Sequence, residues 1–371
     1  MYLQLIIFII SVLCLYIFKE TGSDARRYLM RKKYVALIMF LFIIQSGFRN
    51  LAIGADTYAY AIKFQEDSNE SWQYFFSNFG DIKDVGYHIL TKFFSTIIND
   101  FRIFLIAIAC FFFYALGRIF IKYLNSSYDV LIAISLYQCL FYSFFSITGL
   151  RQTIATGFLL MLIPYFLEKK YIHTTILFVC AFLMHKSALI FFIFFILSKF
   201  KRSKYVLMIA FALFIPMFSW QTGFGKIIEG TMMDSYAHYM EQEFTSGAFT
   251  FMAFILLLGF FTFIKVDKII NGYNYIFINA LAVAILLTPL LALDPNNQRI
   301  VQYFSIFSLL VLPNVCNAYE LNKGNSKILH MIIFTIFAYY ILSRNLEYKF
   351  FWQDMVFENE EEIIILNDDV L

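Results

Sequence analysis

The sequence predicts an all-α, polytopic membrane protein, and two features carry that prediction. Of the 371 residues, 61% are hydrophobic and only 15% are charged, whereas a soluble domain carries about 25% charged residues. The apolar residues are also grouped into long runs, and a helix needs about 20 of them to cross a bilayer. A soluble globular domain is therefore excluded.

The apolar runs divide the chain into about twelve predicted membrane spans, since a helix satisfies its own backbone hydrogen bonds in lipid. The runs at 171–184 and 187–198 are short, and we expect a tight hairpin or a broken helix there. Residues 1–345 would form a single transmembrane domain, followed by an acidic C-terminal tail at 346–371. We expect the stretch of this tail with Glu358 and Glu360–Glu362 to be loose and solvated. The predicted spans are 2–18, 34–48, 101–121, 129–147, 152–167, 171–184, 187–198, 205–219, 249–264, 273–293, 300–318 and 328–343.

The basic residues predict an orientation, because lysine and arginine collect in the cytoplasmic loops of membrane proteins. The segment 19–33 is rich in both and is assigned to the cytoplasm, which places the N-terminus outside. Two long segments, 49–100 and 220–247, then lie outside as well. They contain aromatic-rich pieces that predict interfacial helices and not spans. These pieces cover 71–79, 85–98 and 226–244.

Several classes of site are disfavoured by the motifs that the sequence lacks. The five cysteines fall inside apolar runs without CxxC spacing, so we interpret them as core residues. No HExxH pattern, Cys/His cluster or Asp-x-Asp pair indicates a metal site. GxSxG and Walker patterns are missing too, which disfavours a serine hydrolase or an ATP-driven pump. We therefore expect no metal and no cofactor.

Polar residues at the predicted outer membrane face form the candidate site. They begin or end predicted spans and outer turns, and three of them are arginines. Guanidinium groups suit phosphate oxygens because they donate hydrogen bonds in pairs and stay charged. The pattern therefore points to an anionic ligand. The candidate residues are Arg49, Asp56, Tyr60, Arg151, Gln152, His185, Lys186, Arg299 and Tyr303.

Taken singly, these residues have simpler interpretations. A lone arginine at a helix end commonly anchors the helix at the interface. Asp56 and the threonine after it could cap a short helix, and His185 could be a packed histidine. Three arginines beside other polar residues at one membrane face favour a shared site, because charges next to spans usually face a cavity or a partner.

Five short motifs occur in order along residues 48–304. They are Phe48-Arg49 with Ile53-Gly54-Ala55-Asp56-Thr57 and Tyr60; Asp84-Val85-Gly86-Tyr87-His88-Ile89-Leu90; Thr148-Gly149-Leu150-Arg151-Gln152-Thr153-Ile154-Ala155; Met184-His185-Lys186-Ser187-Ala188-Leu189; and Arg299 with Tyr303-Phe304. Together they resemble the EpsG family, the Wzy-like polysaccharide polymerases. Asp84 stands where the family usually has glutamate, and the residues after about 345 have no clear counterpart.

The resemblance implies a membrane glycosyltransferase of the GT-C type, at the outer face of the bacterial cytoplasmic membrane. Such enzymes join lipid-linked oligosaccharide repeat units into capsule, exopolysaccharide or O-antigen. The donor would be a chain on undecaprenyl diphosphate and the acceptor a single lipid-linked repeat unit. Membrane lipid and a chain-length regulator protein are further expected partners, and no nucleic acid is expected. The glycosyl–diphosphate bond supplies the energy, so no nucleotide is needed.

The expected reaction assigns roles to the candidate residues. Arg151 and Arg299, with Arg49, would bind the diphosphate, where preorganised positive charge stabilises the leaving group. Asp56 is the first candidate for the general base and His185 the second, since histidine titrates near neutral pH. Gln152 and Tyr303 would orient sugar or phosphate oxygens, and the substrate-binding set is completed by Tyr60 and Lys186.

Three other functions are weighed against the polymerase. A flippase or transporter of lipid-linked oligosaccharides would need charged residues through the depth of the helix bundle, whereas here they gather at one face. A membrane acyltransferase would favour a histidine deep within a span with an arginine nearby. An O-antigen ligase of the GT-C type would use arginines in the same way and stays open as an alternative.

Overall fold

The computed structural model describes residues 3–54, 56–77, 84–219, 246–292, 297–319, 323–343 and 348–353. Within these ranges the regular structure is helical, and the β-structure is one isolated bridge between Arg49 and Phe350. The all-α prediction is confirmed for this part of the chain. The predicted interfacial helix at 226–244 lies outside the described residues.

Sixteen α-helices are described, joined in places by short 3₁₀- or π-helical turns. They are α1 Leu3–Ile17, α2 Asp24–Gly47, α3 Thr57–Asn69, α4 Trp72–Ser77, α5 Val85–Ile97, α6 Phe101–Tyr123, α7 Ser127–Leu140, α8 Leu150–Leu167, α9 Tyr171–Met184, α10 Phe192–Leu197, α11 Ser203–Ser219, α12 Ser246–Ile269, α13 Asn274–Leu287, α14 Gln298–Ser305, α15 Ser308–Tyr319 and α16 Lys323–Ser343.

Four helices of the described chain are long and apolar enough to cross a membrane, judged by length and composition. A fifth span results if α14 and α15, which are bent by 49° at a short break, count as one. Six further apolar helices are 10 to 17 residues long. These helices support a membrane protein, whereas the number of twelve spans stays a prediction. The four long helices are Phe101–Tyr123, Leu150–Leu167, Gly247–Ile269 and Asn274–Ala292.

The chain forms two compact units. The single transmembrane domain expected for 1–345 stays a prediction, because one membrane domain can contain two such units. The first unit consists of Met1–Lys122, Phe141–Lys186 and Ala338–Leu371, and the second of Tyr123–Leu140 and Ser187–Phe337.

The basic segment expected as a cytoplasmic loop is mostly the first turns of α2. Ser23 caps this helix, and its side chain accepts a hydrogen bond from the backbone N–H of Arg26 at 3.4 Å. Asp24 lies in the first turn, where a carboxylate favours the positive end of the helix dipole. The predicted span at 34–48 is therefore continuous with the basic segment.

In the first unit, α2 packs antiparallel against α6. The Phe42 and Phe113 rings stack with centroids 5.3 Å apart, and Gly117 of α6 faces Met39 of α2. Helices α3 and α5 pack on α6 and α8 through an aromatic and aliphatic core. That core includes Phe64, Tyr87, Phe104, Leu150 and Ile154.

The predicted interruption in 171–198 is present, and it lies at His185. The chain there adopts an extended conformation with φ −156° and ψ 115°. Helix α9 ends at Met184, and a 3₁₀-helix at Lys186–Phe191 follows. The polar residues at this point therefore lie in a break of the helix and not along its side.

Residues 348–353, at the start of the predicted acidic tail, are packed, whereas the looseness expected of its acidic stretch stays a prediction. Tyr348 is buried, and its hydroxyl donates to the Gln45 carbonyl at 2.5 Å. The backbone N–H of Phe351 donates to the Phe48 carbonyl at 3.0 Å. Residues 348–353 thus cover the end of α2. The acidic residues 354–371 lie outside the described residues.

The second unit is organised around α13, which is buried along most of its length. The Asn279 amide on α13 donates hydrogen bonds to the carbonyls of Leu197 and Phe200 at 3.0 and 2.6 Å. These bonds hold the C-terminal end of α10 against α13. Asp129 at the start of α7 accepts a hydrogen bond from Asn317 of α15 at 3.0 Å. Hydrogen bonds from buried polar side chains thus join helices in this unit.

Candidate functional site

A buried carboxylate brings three of the predicted site residues together in the first unit. The Asp84 side chain has no exposed surface. Its Oδ2 accepts hydrogen bonds from Arg151 Nη1 at 2.8 Å and from His185 Nδ1 at 3.1 Å. Its Oδ1 accepts one from the backbone N–H of Lys186 at 3.0 Å. We call the side chains of Asp84, Arg151 and His185 the Asp84 cluster.

The close approach of α5 and α9 places Asp84 beside His185. Asp84 directly precedes α5, and His185 directly follows α9. A Cβ atom on Gly86 would lie 2.7 Å from Leu183 Cβ and 2.8 Å from its carbonyl carbon. Only glycine lets the two helix ends come this near. Gly86 is therefore a packing requirement for the cluster.

The ionisation of Asp84 determines the tautomer of His185. Burial alone would raise the pKa of Asp84, but the hydrogen bonds from His185 and Lys186 and the charge of Arg151 lower it to about 2. An ionised carboxylate only accepts hydrogen bonds, so Nδ1 of His185 carries the proton that it donates. In the neutral ring, Nε2 then keeps its lone pair. His185 can therefore take up a proton at Nε2, and Asp84 would stabilise the imidazolium.

Tyr60 holds the Arg151 guanidinium from a second side. The Arg151 Cζ lies 5.7 Å from the centre of the Tyr60 ring, and Nε points to the Tyr60 hydroxyl at 3.5 Å. The Tyr60 ring in turn packs edge-on against Tyr87. The Arg151 side chain remains 26% exposed. The guanidinium is thus held in position while part of it stays accessible.

Arg49 has a different environment, because its guanidinium bonds to main-chain carbonyls. It is 3% exposed, and its Nη1 and Nη2 donate to the carbonyls of Ser46 at 2.5 Å and Ile147 at 3.0 Å. The cavity beside it measures about 10 Å³, about the space for one water molecule. Gly54, at φ +94°, leaves room for Ile147. These contacts support a structural role for Arg49, and substrate binding by it stays a prediction.

Asp56 directly precedes α3, and its carbonyl accepts a hydrogen bond from the backbone N–H of Tyr60 at 3.1 Å. Its carboxylate makes no capping hydrogen bond, so side-chain capping does not account for it. The buried hydroxyl of Thr57 donates to the Ile53 carbonyl at 2.8 Å. Catalysis by Asp56 stays a prediction.

The remaining predicted residues are placed as follows. Gln152 is buried on α8, and Lys186 is exposed although its N–H bonds to Asp84. Arg299 lies half-buried in the first turn of α14, in the second unit. Tyr303 is buried on the same helix, with its hydroxyl 3.2 Å from Ser187 Oγ. The site that Arg151 and Arg299 would share stays a prediction.

A second aspartate–histidine pair joins α3 to α5. The buried Asp67 Oδ2 accepts hydrogen bonds from His88 Nδ1 at 3.0 Å and Thr91 Oγ1 at 2.5 Å. Lys92 on the same face of α5 donates to the Ser68 carbonyl at 3.1 Å. All these contacts join the two helices, so we interpret His88 as a structural residue.

Asp84 is the site residue that sequence reasoning missed. The one sequence feature that could have identified Asp84 is the family motif, in which it replaces the usual glutamate. Its partners lie 67 and 101 positions further along the chain, so no local pattern connects them. Among the described residues, no three His, Cys, Asp or Glu side chains lie together as metal ligands would.

A family model described as the EpsG family matches residues 32–353. The match contains all five motifs and extends to residue 353. The expectation that the residues after about 345 have no counterpart in the family is therefore wrong for 346–353. No curated protein and no solved structure matches the chain.

We predict that Arg49→Lys lowers the stability of the protein. Lysine cannot donate to two separate carbonyls with a planar fork, and a buried carbonyl left unpaired costs about 1–3 kcal/mol. The apparent melting temperature in detergent, followed by tryptophan fluorescence, should fall, whereas the exposed Arg26→Lys should melt like wild type. An unchanged melting temperature of Arg49→Lys would contradict the structural role.

We also predict a pH-dependent contribution from Asp84. Because its folded pKa of about 2 lies below its ordinary value of 3.8, its ionised form stabilises the fold above about pH 4, and this is lost as the pH falls towards 2. The difference corresponds to about 2 kcal/mol. Asp84→Asn should therefore melt below wild type at pH 6, with a gap that narrows towards pH 2. The exposed Asp24→Asn serves as control, and a gap independent of pH would contradict the prediction.

Proposed function

The chain belongs to the EpsG family, and from that membership we propose that it is a polysaccharide polymerase. It would join oligosaccharide repeat units carried on undecaprenyl diphosphate into a surface polysaccharide. The reaction would take place at the outer face of the bacterial cytoplasmic membrane. The proposal rests on the family and on one observation, the Asp84 cluster, in which a single carboxylate positions a cation and an imidazole.

The cluster fits glycosyl transfer between two lipid-linked substrates. The acceptor hydroxyl would attack the anomeric carbon of the donor while its proton passes to Nε2 of His185. The bond from the anomeric carbon to the diphosphate oxygen breaks, and the departing undecaprenyl diphosphate takes the electron pair. The proton then leaves His185 for solvent. A positioned base of this kind contributes on the order of 10²- to 10⁴-fold in rate.

Arg151 would stabilise the charge on the leaving diphosphate. Its guanidinium is held by Asp84 and Tyr60 before any substrate arrives, so little reorganisation is needed during the reaction. Part of the side chain is exposed, which leaves donors for phosphate oxygens. Arg299 remains a proposed second contact to the diphosphate. Gln152, Lys186 and Tyr303 remain proposed contacts to sugar or phosphate.

The contacts change the preferred order of the two candidate bases. His185 has an ionised partner that fixes its tautomer and would stabilise its protonated form. In general, an imidazole is a stronger base near neutral pH than a carboxylate. We therefore propose His185 as the general base.

The proposal predicts that His185→Gln abolishes most polymer synthesis, with a rate loss of about 100-fold or more. Asp84→Asn should also slow synthesis strongly, because the amide can donate to Nδ1 and favour the wrong tautomer. Asp56→Asn is the matched test of the other base. Polymer would be read by gel from cells with equal protein levels. If Asp56→Asn abolished polymer while His185→Gln did not, the assignment would be reversed.

Arg151→Lys should reduce polymer sharply while expression and membrane insertion hold. Lysine keeps the charge but loses the paired hydrogen bonds, which should cost on the order of 2–4 kcal/mol in the barrier, about 30- to 1000-fold in rate. Arg102→Lys, at an exposed position, is the control. Wild-type polymer from Arg151→Lys cells would reduce Arg151 to a helix anchor.

The profile of lipid-linked glycans separates polymerase from flippase. Cells that lack the polymerase should accumulate single repeat units on the outer face of the membrane, whereas loss of a flippase would retain them on the inner face. Loss of a ligase would leave full-length polymer attached to its lipid carrier. Full-length lipid-linked polymer in cells that lack this protein would therefore refute the proposed function.

A further inference from the structure

A groove of about 800 Å³ lies between α2 and α6 in the first unit. Its walls are apolar and come from both helices, including Val35, Met39 and Ile43 on α2 and Phe113 and Ile121 on α6. The groove is open along one side. An apolar groove of this shape on a membrane protein can receive a hydrocarbon chain.

One end of the groove is basic. Arg31 and Lys32 lie near the start of α2, and Arg118 and Lys122 near the end of α6. Because the two helices are antiparallel, these four side chains collect at the same end. The predicted orientation assigns this end to the cytoplasmic side, where anionic lipid headgroups attract basic residues.

The basic end is only partly neutralised by acidic side chains. Lys122 pairs with Glu168 at 2.6 Å. Arg118 instead contacts the Met161 sulfur at 3.4 Å and lies 5.9 Å from the centre of the Tyr114 ring. Neither contact supplies a negative charge, and no salt bridge reaches Lys32 or Arg118 from the described residues. This end therefore retains charge for an anionic group.

The length of the groove matches one leaflet of a bilayer. From Lys32 to Ile43 the helix rises about 16 Å, at roughly 1.5 Å per residue. Half of the hydrocarbon core of a bilayer is about 15 Å thick. An acyl chain in the groove would therefore place its headgroup at the basic end and its terminal methyl near the bilayer midplane.

We propose that this groove binds an anionic phospholipid of the cytoplasmic leaflet. The phosphate would bind Arg31, Lys32, Arg118 and Lys122, and an acyl chain would lie between α2 and α6. The groove holds none of the residues of the Asp84 cluster, so the proposal stands independently of the proposed reaction.

Native mass spectrometry of the purified protein tests the proposal with phosphatidylglycerol and phosphatidylcholine of equal acyl chains. Wild type should retain phosphatidylglycerol preferentially. The double variant Lys32→Gln/Arg118→Gln should bind it about 30-fold more weakly, since each basic residue contributes about fivefold, or ~1 kcal/mol. The exposed pair Lys199→Gln/Lys201→Gln removes the same charge elsewhere and should bind like wild type. Equal retention by both double variants would overturn the proposal.

A second variant distinguishes binding of an acyl chain in the groove from electrostatic attraction of the headgroup alone. Ala36 lines the groove and is exposed, so Ala36→Trp should fill the space without disturbing the core. It should lose the bound lipid while keeping all four basic residues. Retention by Ala36→Trp, or displacement of the lipid by excess inorganic phosphate, would show that the groove does not hold the chain. Preference for undecaprenyl phosphate over phosphatidylglycerol would assign the groove to the carrier lipid instead and refute the phospholipid.

Discussion

The buried carboxylate of Asp84 is the constraint on which the candidate site depends. A carboxylate removed from water costs several kcal/mol unless charges and hydrogen bonds compensate it. Here the compensation comes from Arg151 at the start of α8 and from His185 and Lys186 after α9. Helices α5, α8 and α9 must therefore meet at one point for the carboxylate to be stable there. The same contacts hold the two groups proposed for the chemistry.

The cluster also explains several local features of the fold. Asp84 adopts a left-handed conformation at φ 58°, which is unfavourable for a residue with a side chain, although aspartate tolerates it better than most. Its three hydrogen bonds offset that cost. Gly86 gives α5 its close approach to α9, and the break at His185 frees the histidine ring and the N–H of Lys186 from the helix. Strain and helix breaks thus coincide with the proposed site, as they often do at functional sites.

Two arginines of the same unit illustrate how burial divides one residue type into two roles. Arg49 is enclosed by the end of α2 and the π-helix Ser143–Thr148 before α8, and its donors bond to main-chain carbonyls. Arg151 bonds to one carboxylate and one tyrosine and keeps an accessible edge. The first arrangement stabilises a helix junction, whereas the second leaves donors for a phosphate. In the sequence, Arg49 directly follows an apolar run and Arg151 directly precedes one. The difference between their roles therefore depends on the residues that pack around them.

The sequence by itself determined the all-α class, most helix positions and the family. Apolar runs and short motifs are local patterns, so they can be recognised without knowledge of the tertiary structure. It also marked Arg151, His185 and Tyr60, which lie together. Only the tertiary structure showed that Asp84 joins them, that Arg49 is enclosed and that Tyr348 covers the end of α2. Each of these depends on contacts between residues that are far apart in the chain. Burial and partner choice are properties of packing, and a linear pattern does not encode them.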